Sequence, residues 1–197
     1  MQLAKDAYYV EAIMGKKMIG LQDHFSASFG GFKNYIFKSF NNITVVNLKI
    51  SKENIKKFKD NLSMHYTGIN RKADKILSSI SMTYNLEKKR KLTNDSIKFK
   101  KLLINNDFKQ IGKIFNDAWL YKKNFGSKKI RKLLNDHHSM AIKKGMYGGK
   151  ILGAGGGGYF LFLANKTAKK RIFKKLNNLE LINFNFYNKG AEIVYDD

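Results

Sequence analysis

The stretch GGKILGAGGGGYFLFL, residues 148 to 163, holds five glycines within the six positions 153 to 158, set between two apolar runs. Successive glycine amides can line an anion-binding concavity, so phosphate chemistry is the first reading. Gly153, Gly155 and Gly158 satisfy the spacing G-x-G-x-x-G, and Glu180 lies at a plausible distance for a ribose-binding acid. The dinucleotide fingerprint also needs its glycines to open a helix after a strand, whereas YFLFL fits a strand. The protein-kinase glycine loop does lie between strands, but the motifs that accompany it are absent from the residues that follow here. A tight strand-to-strand connection needs one or two glycines. Five imply that this backbone comes very close to another backbone or to a ligand.

Few other residues suggest chemistry. Asp23 sits in GLQDHFSASFGGF, a polar, glycine-punctuated segment read as a loop, where a lone aspartate is ordinarily a turn residue. Arg71 is one of only four arginines, with Arg90, Arg131 and Arg171. A fixed guanidinium suits a phosphate, and a surface salt bridge is the plain alternative. His137 and His138 lie in a helix without partners at metal spacing and read as structural, so no metal-ligating residues are expected. Trp119 and the phenylalanine-rich faces follow core spacing.

The elements that must position these residues read as follows. Met1 to Met14 is a helix with Leu3, Ala7, Val10 and Met14 recurring on one face at helical spacing. FKNYIF and ITVVNLKI form a strand pair turned at Asn41-Asn42. Ser51 caps a short helix through Ile55 and Phe58, and Leu62 to Gly68 is a strand. Asn70 caps a helix buried through Ala73, Ile76, Leu77 and Ile80. Phe108, Ile111, Phe115 and Trp119 mark one helix face, and Ile130, Leu133, Leu134, His137 and Ala141 another, with Gly145 at its C-terminal cap. The end reads strand, glycine loop, strand (Tyr159 to Leu163), helix (Lys166 to Leu176) and two strands around LINFNFY and AEIVYD. The fold class is α+β.

At 197 residues the chain suits one domain or slightly more. Its 43% hydrophobic and 13% aromatic residues supply a core. The absence of cysteine excludes disulfides, thiol catalysis and cysteine-based zinc sites. No apolar run approaches the ~20 residues of a transmembrane helix, and the charged start MQLAKDAYYVEAIMG is no signal peptide. A cytoplasmic protein with no membrane partner is the expectation. The formal charge of +23 invites nucleic acid, yet the excess is nearly all lysine, spread along a chain rich in Asn, Ile and Phe. That pattern reads as a solvated lysine surface that favours anionic ligands generally, and a nucleic-acid partner is not expected.

Three stretches in order carry a resemblance to a known family. GGKILGAGGGGYFLF resembles the C-terminal glycine motif of the GHMP kinases. LQDHFSASFGGF resembles the segment bearing the catalytic aspartate in their sugar-kinase branch, and MHYTGINRKADKIL the opening of that branch's second domain. The likeness spans nearly the whole chain and is greatest to the kinases of heptose 7-phosphates. It implies the rear part of a GHMP kinase N-terminal domain over residues 1–60, then a ferredoxin-like α+β C-terminal domain over 61–197. It implies ATP and Mg2+ as cofactors and phosphoryl transfer to a hydroxyl of a sugar phosphate, a heptose 7-phosphate. Asp23 is then the catalytic carboxylate that orients or deprotonates the acceptor. Gln22, His24, Gly30, Gly31, Thr67, Gly68 and Arg71 are substrate-binding, and Gly153, Ala154, Gly155, Gly156, Gly157 and Gly158 form the phosphate-proximal loop. Relatives usually carry glutamine where this chain has His24.

The same resemblance implies a further loop, with proline, glycine and paired serines opening a helix, whose amides hold ATP phosphates. No proline occurs in these residues, and the only Ser-Ser pair lies in ILSSIS, inside an apparent helix. A truncated or split kinase is therefore expected, inactive alone unless a separate chain supplies the N-terminal portion. The alternatives are a basic nucleic-acid-binding α+β module and a non-catalytic kinase remnant.

Overall fold

The computed structural model describes residues 1–70, 86–173 and 179–195. The helix expected after Asn70, and with it Arg71, lies outside them. The chain divides into two compact units, Met1–Ile50 with Asn185–Asp197, and Ser51–Phe184.

In the first unit, α1 spans Gln2–Tyr8 and continues as a wider π-helical turn over Tyr9–Met14. It packs beside α2, Gln22–Phe29. Residues 22–29 were expected to be a loop. They form a helix because Phe25 and Phe29, four apart, stack at 6.0 Å with Phe25 fully buried. The ring of Phe25 also meets Tyr35 and Phe37 of the hairpin edge-on. That hairpin pairs β1, Lys33–Ser39, antiparallel to β2, Asn42–Asn47. Its turn falls at Phe40-Asn41, one residue before the expected place, where Ser39 Oγ accepts from the Asn42 amide at 3.1 Å. Along α1 and its π-helical continuation Leu3, Val10 and Met14 are exposed, and the buried residue is Ala4. AEIVYD forms no strand over its described residues, and Ile193, Val194 and Tyr195 are exposed.

The second unit begins with α3, Lys52–Asn61, capped as expected by Ser51 Oγ, which accepts from the Asn54 amide. The strand β3, Leu62–Tyr66, follows. Three helices come next: α4, Leu86–Ile104; α5, Phe108–Lys122; and α6, Lys128–Lys143. Asp107 and Ser127 cap α5 and α6 through side-chain oxygens. Gly145 closes α6 at φ 95°, the amides of Gly145 and Met146 donating back to Ile142 and Ala141 in a Schellman arrangement. β4, Gly148–Ile151, and β5, Tyr159–Leu163, flank the glycine loop, and α7, Lys166–Phe173, leads to β6, Glu180–Ile182.

The four strands pair antiparallel in the order β4-β5-β3-β6. With helices between β3 and β4 and between β5 and β6, this is the ferredoxin-like α+β topology. Register places His65 opposite Phe160, and Phe160 opposite Ile151. Their face forms the main core with Trp119, Leu134, Ala141, Ala168 and Ile172. A second apolar group joins Phe58 to Phe99 and Phe108, and Phe99 to Phe115. Leu133, expected on the core face of α6, is instead 42% exposed.

Candidate active site

The glycine loop is a piece of unusual backbone held at both ends by ordinary hydrogen bonds. All five glycines, Gly153 and Gly155 to Gly158, have positive φ, a region that residues with a Cβ rarely enter. Gly157, at φ 144°, shows the second constraint: a Cβ there would meet Ile69 Cγ2 at 2.7 Å and Ile69 O at 2.9 Å. Both reasons for so many glycines therefore apply at once, strained dihedrals and close backbone approach. Among the described residues, the amides of Gly153, Ala154, Gly156 and Gly157 donate to no protein acceptor. Such amides are free to bind an anion.

Thr67 and Gly158 anchor the far end of the loop. The Thr67 amide and its Oγ1 both donate to Gly158 O, at 2.9 and 2.8 Å. Thr67 Oγ1 also accepts from the Ile69 amide at 3.4 Å, and the Gly158 amide donates to Ile69 O at 3.0 Å. The Thr67 side chain is thus 6% exposed and engaged with backbone. Gly68, at φ 69°, is exposed on the connection beside it. At the near end, Lys122 Nζ of α5 donates to Gly153 O. Lys122 was not foreseen, because its partner lies 31 residues away and a lysine among 38 basic residues carries no pattern.

A polar node fixes β4 just before the loop. Asn116 Oδ1 accepts from the Gly149 amide at 3.1 Å and lies 3.1 Å from His138 Nε2, which is also 3.2 Å from Gly149 O. The His138 ring stacks on Trp119 at 5.1 Å. Burial pushes its pKa down to about 4, so the ring is neutral at pH 7. His137 is buried as well, and burial lowers its pKa. Neither belongs to a metal cluster, and the described residues contain no group of three His, Asp or Glu that could hold a metal ion. Lys150 reaches over the Phe115 ring, 4.8 Å from its centroid, and burial lowers its pKa.

In the other unit, Gln22 and Asp23 occupy the exposed first turn of α2. A carboxylate there is favoured by the helix dipole. Among the described residues Asp23 has no ion-pair or hydrogen-bond partner. His24 turns the other way: its Nε2 is 3.0 Å from Glu11 Oε2, and Tyr8 meets its ring edge-on. Lys17 and then His24 hold Glu11 below the usual carboxylate range. Gly30 and Gly31 end α2 where residues 187–190 cross it. The Gly31 amide donates to Tyr187 O at 2.9 Å, and Gly30 lies directly against the Lys189 carbonyl. Backbone packing accounts for both glycines.

Residues 99–180 match the model of the GHMP kinases' C-terminal domain. Over 97% of its length the chain is 28% identical to D-glycero-alpha-D-manno-heptose 7-phosphate kinase of Campylobacter jejuni, covering 58% of that protein. A structure described as a sugar kinase from Campylobacter jejuni superposes over 95% of this chain and 55% of its own, with TM-score 0.65 and 28% identity. The D-glycero-D-manno-heptose 1-phosphate kinase from Bacteroides thetaiotaomicron shares the fold, at TM-score 0.68 and 21% identity over 98% of this chain and 55% of its own. The chain thus spans somewhat more than half the length of these relatives.

Proposed function

We propose that this chain, whose residues 99–180 match the model of the GHMP kinases' C-terminal domain, supplies the acceptor side of a sugar kinase. The observation that carries the reading is the glycine loop, with its free amides and glycine-only dihedrals, in a chain similar to a heptose 7-phosphate kinase. The reaction class is transfer of the γ-phosphoryl of ATP to a hydroxyl of a sugar phosphate, with a heptose 7-phosphate as the best-supported acceptor.

The acceptor oxygen attacks the γ-phosphorus and the bond to the β-phosphate oxygen breaks, releasing ADP. Asp23 orients the hydroxyl and takes its proton. Amides of Gly153–Gly157 donate to oxygens whose charge grows during transfer, the largest contribution a protein makes to such a reaction. Magnesium, where bound, would offset charge on the ATP phosphates and would be held mainly through those phosphates. The loop that grips ATP phosphates belongs to residues outside these 197.

An ADP-release assay with ATP and heptose 7-phosphate tests the reading. The chain alone is expected to show negligible turnover. Combined with the front portion of the Campylobacter kinase it should turn over, and Asp23→Asn should lower kcat by at least a hundredfold without shifting Tm. Full activity of the Asp23→Asn variant would remove Asp23 from the mechanism. Strong turnover by the chain alone would overturn the placement of the ATP loop.

A further inference from the structure

Helix α1 turns its less apolar side inward. Ala4 is buried and Tyr8 packs on the rings of His24 and Phe40. Leu3, Val10, Ile13 and Met14 are instead 56%, 57%, 54% and 66% exposed. Leu3, Val10 and Met14 follow the seven- and four-residue spacing of a single helix stripe, the pattern of a face that packs on another element. Scattered exposed apolar residues are ordinary, whereas a continuous strip marks an interaction surface.

The same unit has a second unfinished feature. Strand β1 pairs only with β2 among the described residues, so each strand has an outer edge without a ladder partner. Ile36 and Val46, one on each strand, are both 41% exposed. Residues 1–50 and 185–197 hold seven basic and six acidic side chains, so charge neither draws nor repels a partner there and contact must be apolar.

Relatives suggest the occupant. The heptose 7-phosphate kinase of Campylobacter jejuni matches 97% of this chain, yet 42% of that kinase lies outside the match. We propose that the Leu3–Val10–Ile13–Met14 face of α1 and its π-helical continuation is the docking surface of a polypeptide segment equivalent to that unmatched part. The segment covers the stripe and extends the hairpin sheet. This inference rests on the kinase reading above, because the occupant is the piece that would bring the ATP loop.

The test mixes the chain with the front segment of the Campylobacter heptose 7-phosphate kinase, made as a separate polypeptide, without ATP or sugar. Light scattering and amide hydrogen exchange follow the mixture. A one-to-one complex is expected, with amides of residues 3–14 protected at least tenfold. Val10→Glu with Met14→Glu should weaken it at least tenfold while the thermal transition of residues 51–184 stays in place. A homodimer of the chain alone that protects residues 3–14, and that the same double variant dissolves, overturns the proposal and gives the face to a second copy. So does a mixture in which residues 3–14 exchange as they do without the segment. A complex that forms, but transfers no phosphate once ATP and heptose 7-phosphate are added to it, leaves the docking surface standing and counts against the kinase reading.

Discussion

Thr67 shows how one hydroxyl can hold a glycine loop in place. Its Oγ1 donates to Gly158 O and accepts from the Ile69 amide, so the loop's exit is fixed by a residue 91 positions earlier in the chain. Thr67→Val keeps the shape and leaves a buried carbonyl and amide short of one partner each. A loss of about 1–3 kcal/mol is expected, read as a fall in Tm, with Thr67→Ser recovering most of it. Buried histidines give a second residue-scale expectation. Burial lowers His65 and His138 to about 4, from an ordinary 6.5. Between those values the unfolded chain binds more protons than the folded one, so stability falls as pH drops from 6.5 toward 4 and is fully present above 6.5. Thermal melts at pH 7.5 and pH 5 should differ by several degrees. His138→Gln should reduce the difference, and equal melting temperatures would show that the rings are not desolvated.

Helix α5 can lie against strand β4 only because Gly112 has no side chain. A Cβ at Gly112 would come within 2.5 Å of the carbonyl carbon and oxygen of Tyr147, backbone atoms that cannot swing away. Gly112→Val is therefore expected to lower the Tm of residues 51–184 strongly, by several kcal/mol in unfolding free energy. It should also disturb the loop, since Lys122 and Asn116 reach Gly153 and Gly149 from the same helix. A near-normal melt would mean that α5 can retreat from the strand. Elements of this kind divide into those that the sequence made legible and those that it did not. Ser51, Trp119 and Gly145 were readable because capping and 3.6-residue spacing are local. Helix α2 was hidden by its short length and flanking glycines, and its fold depends on Phe25 meeting Tyr35 and Phe37 of the hairpin. The alternation in AEIVYD mimics a strand, but its described residues take no strand conformation. The glycine loop was legible from composition alone. Its anchors Thr67, Asn116 and Lys122 were not, because each acts across 31 or more residues on backbone atoms.

Charge is the property that belongs to the whole molecule, and its distribution separates the two units. Residues 51–184 hold 31 of the 38 lysines and arginines but only nine of the 15 acids, so nearly all the excess lies with the glycine loop's unit. Such a field raises the encounter rate with anions and weakens as salt shortens the Debye length to about 8 Å at physiological ionic strength. Two partners could exploit it. A ferredoxin-like sheet that binds RNA does so with aromatic rings laid open on its central strands. Here Phe160 and Phe162 of β5 are fully buried beneath the helices, and Tyr66 and Tyr159 pack on each other at 5.2 Å. Without a stacking surface, only lysine–phosphate contacts remain, and those release with salt. A labelled single-stranded RNA should therefore bind at 20 mM salt and be lost by 200 mM, whatever its sequence. A small anion gripped by loop amides loses far less over the same range, because a few short hydrogen bonds replace many screened contacts. Inorganic phosphate or a sugar phosphate should still shift the loop amide resonances of Gly153–Gly157 at 200 mM salt, and RNA should not. Sequence-dependent retention of RNA at 200 mM would reverse this assignment and make the basic unit a nucleic-acid module.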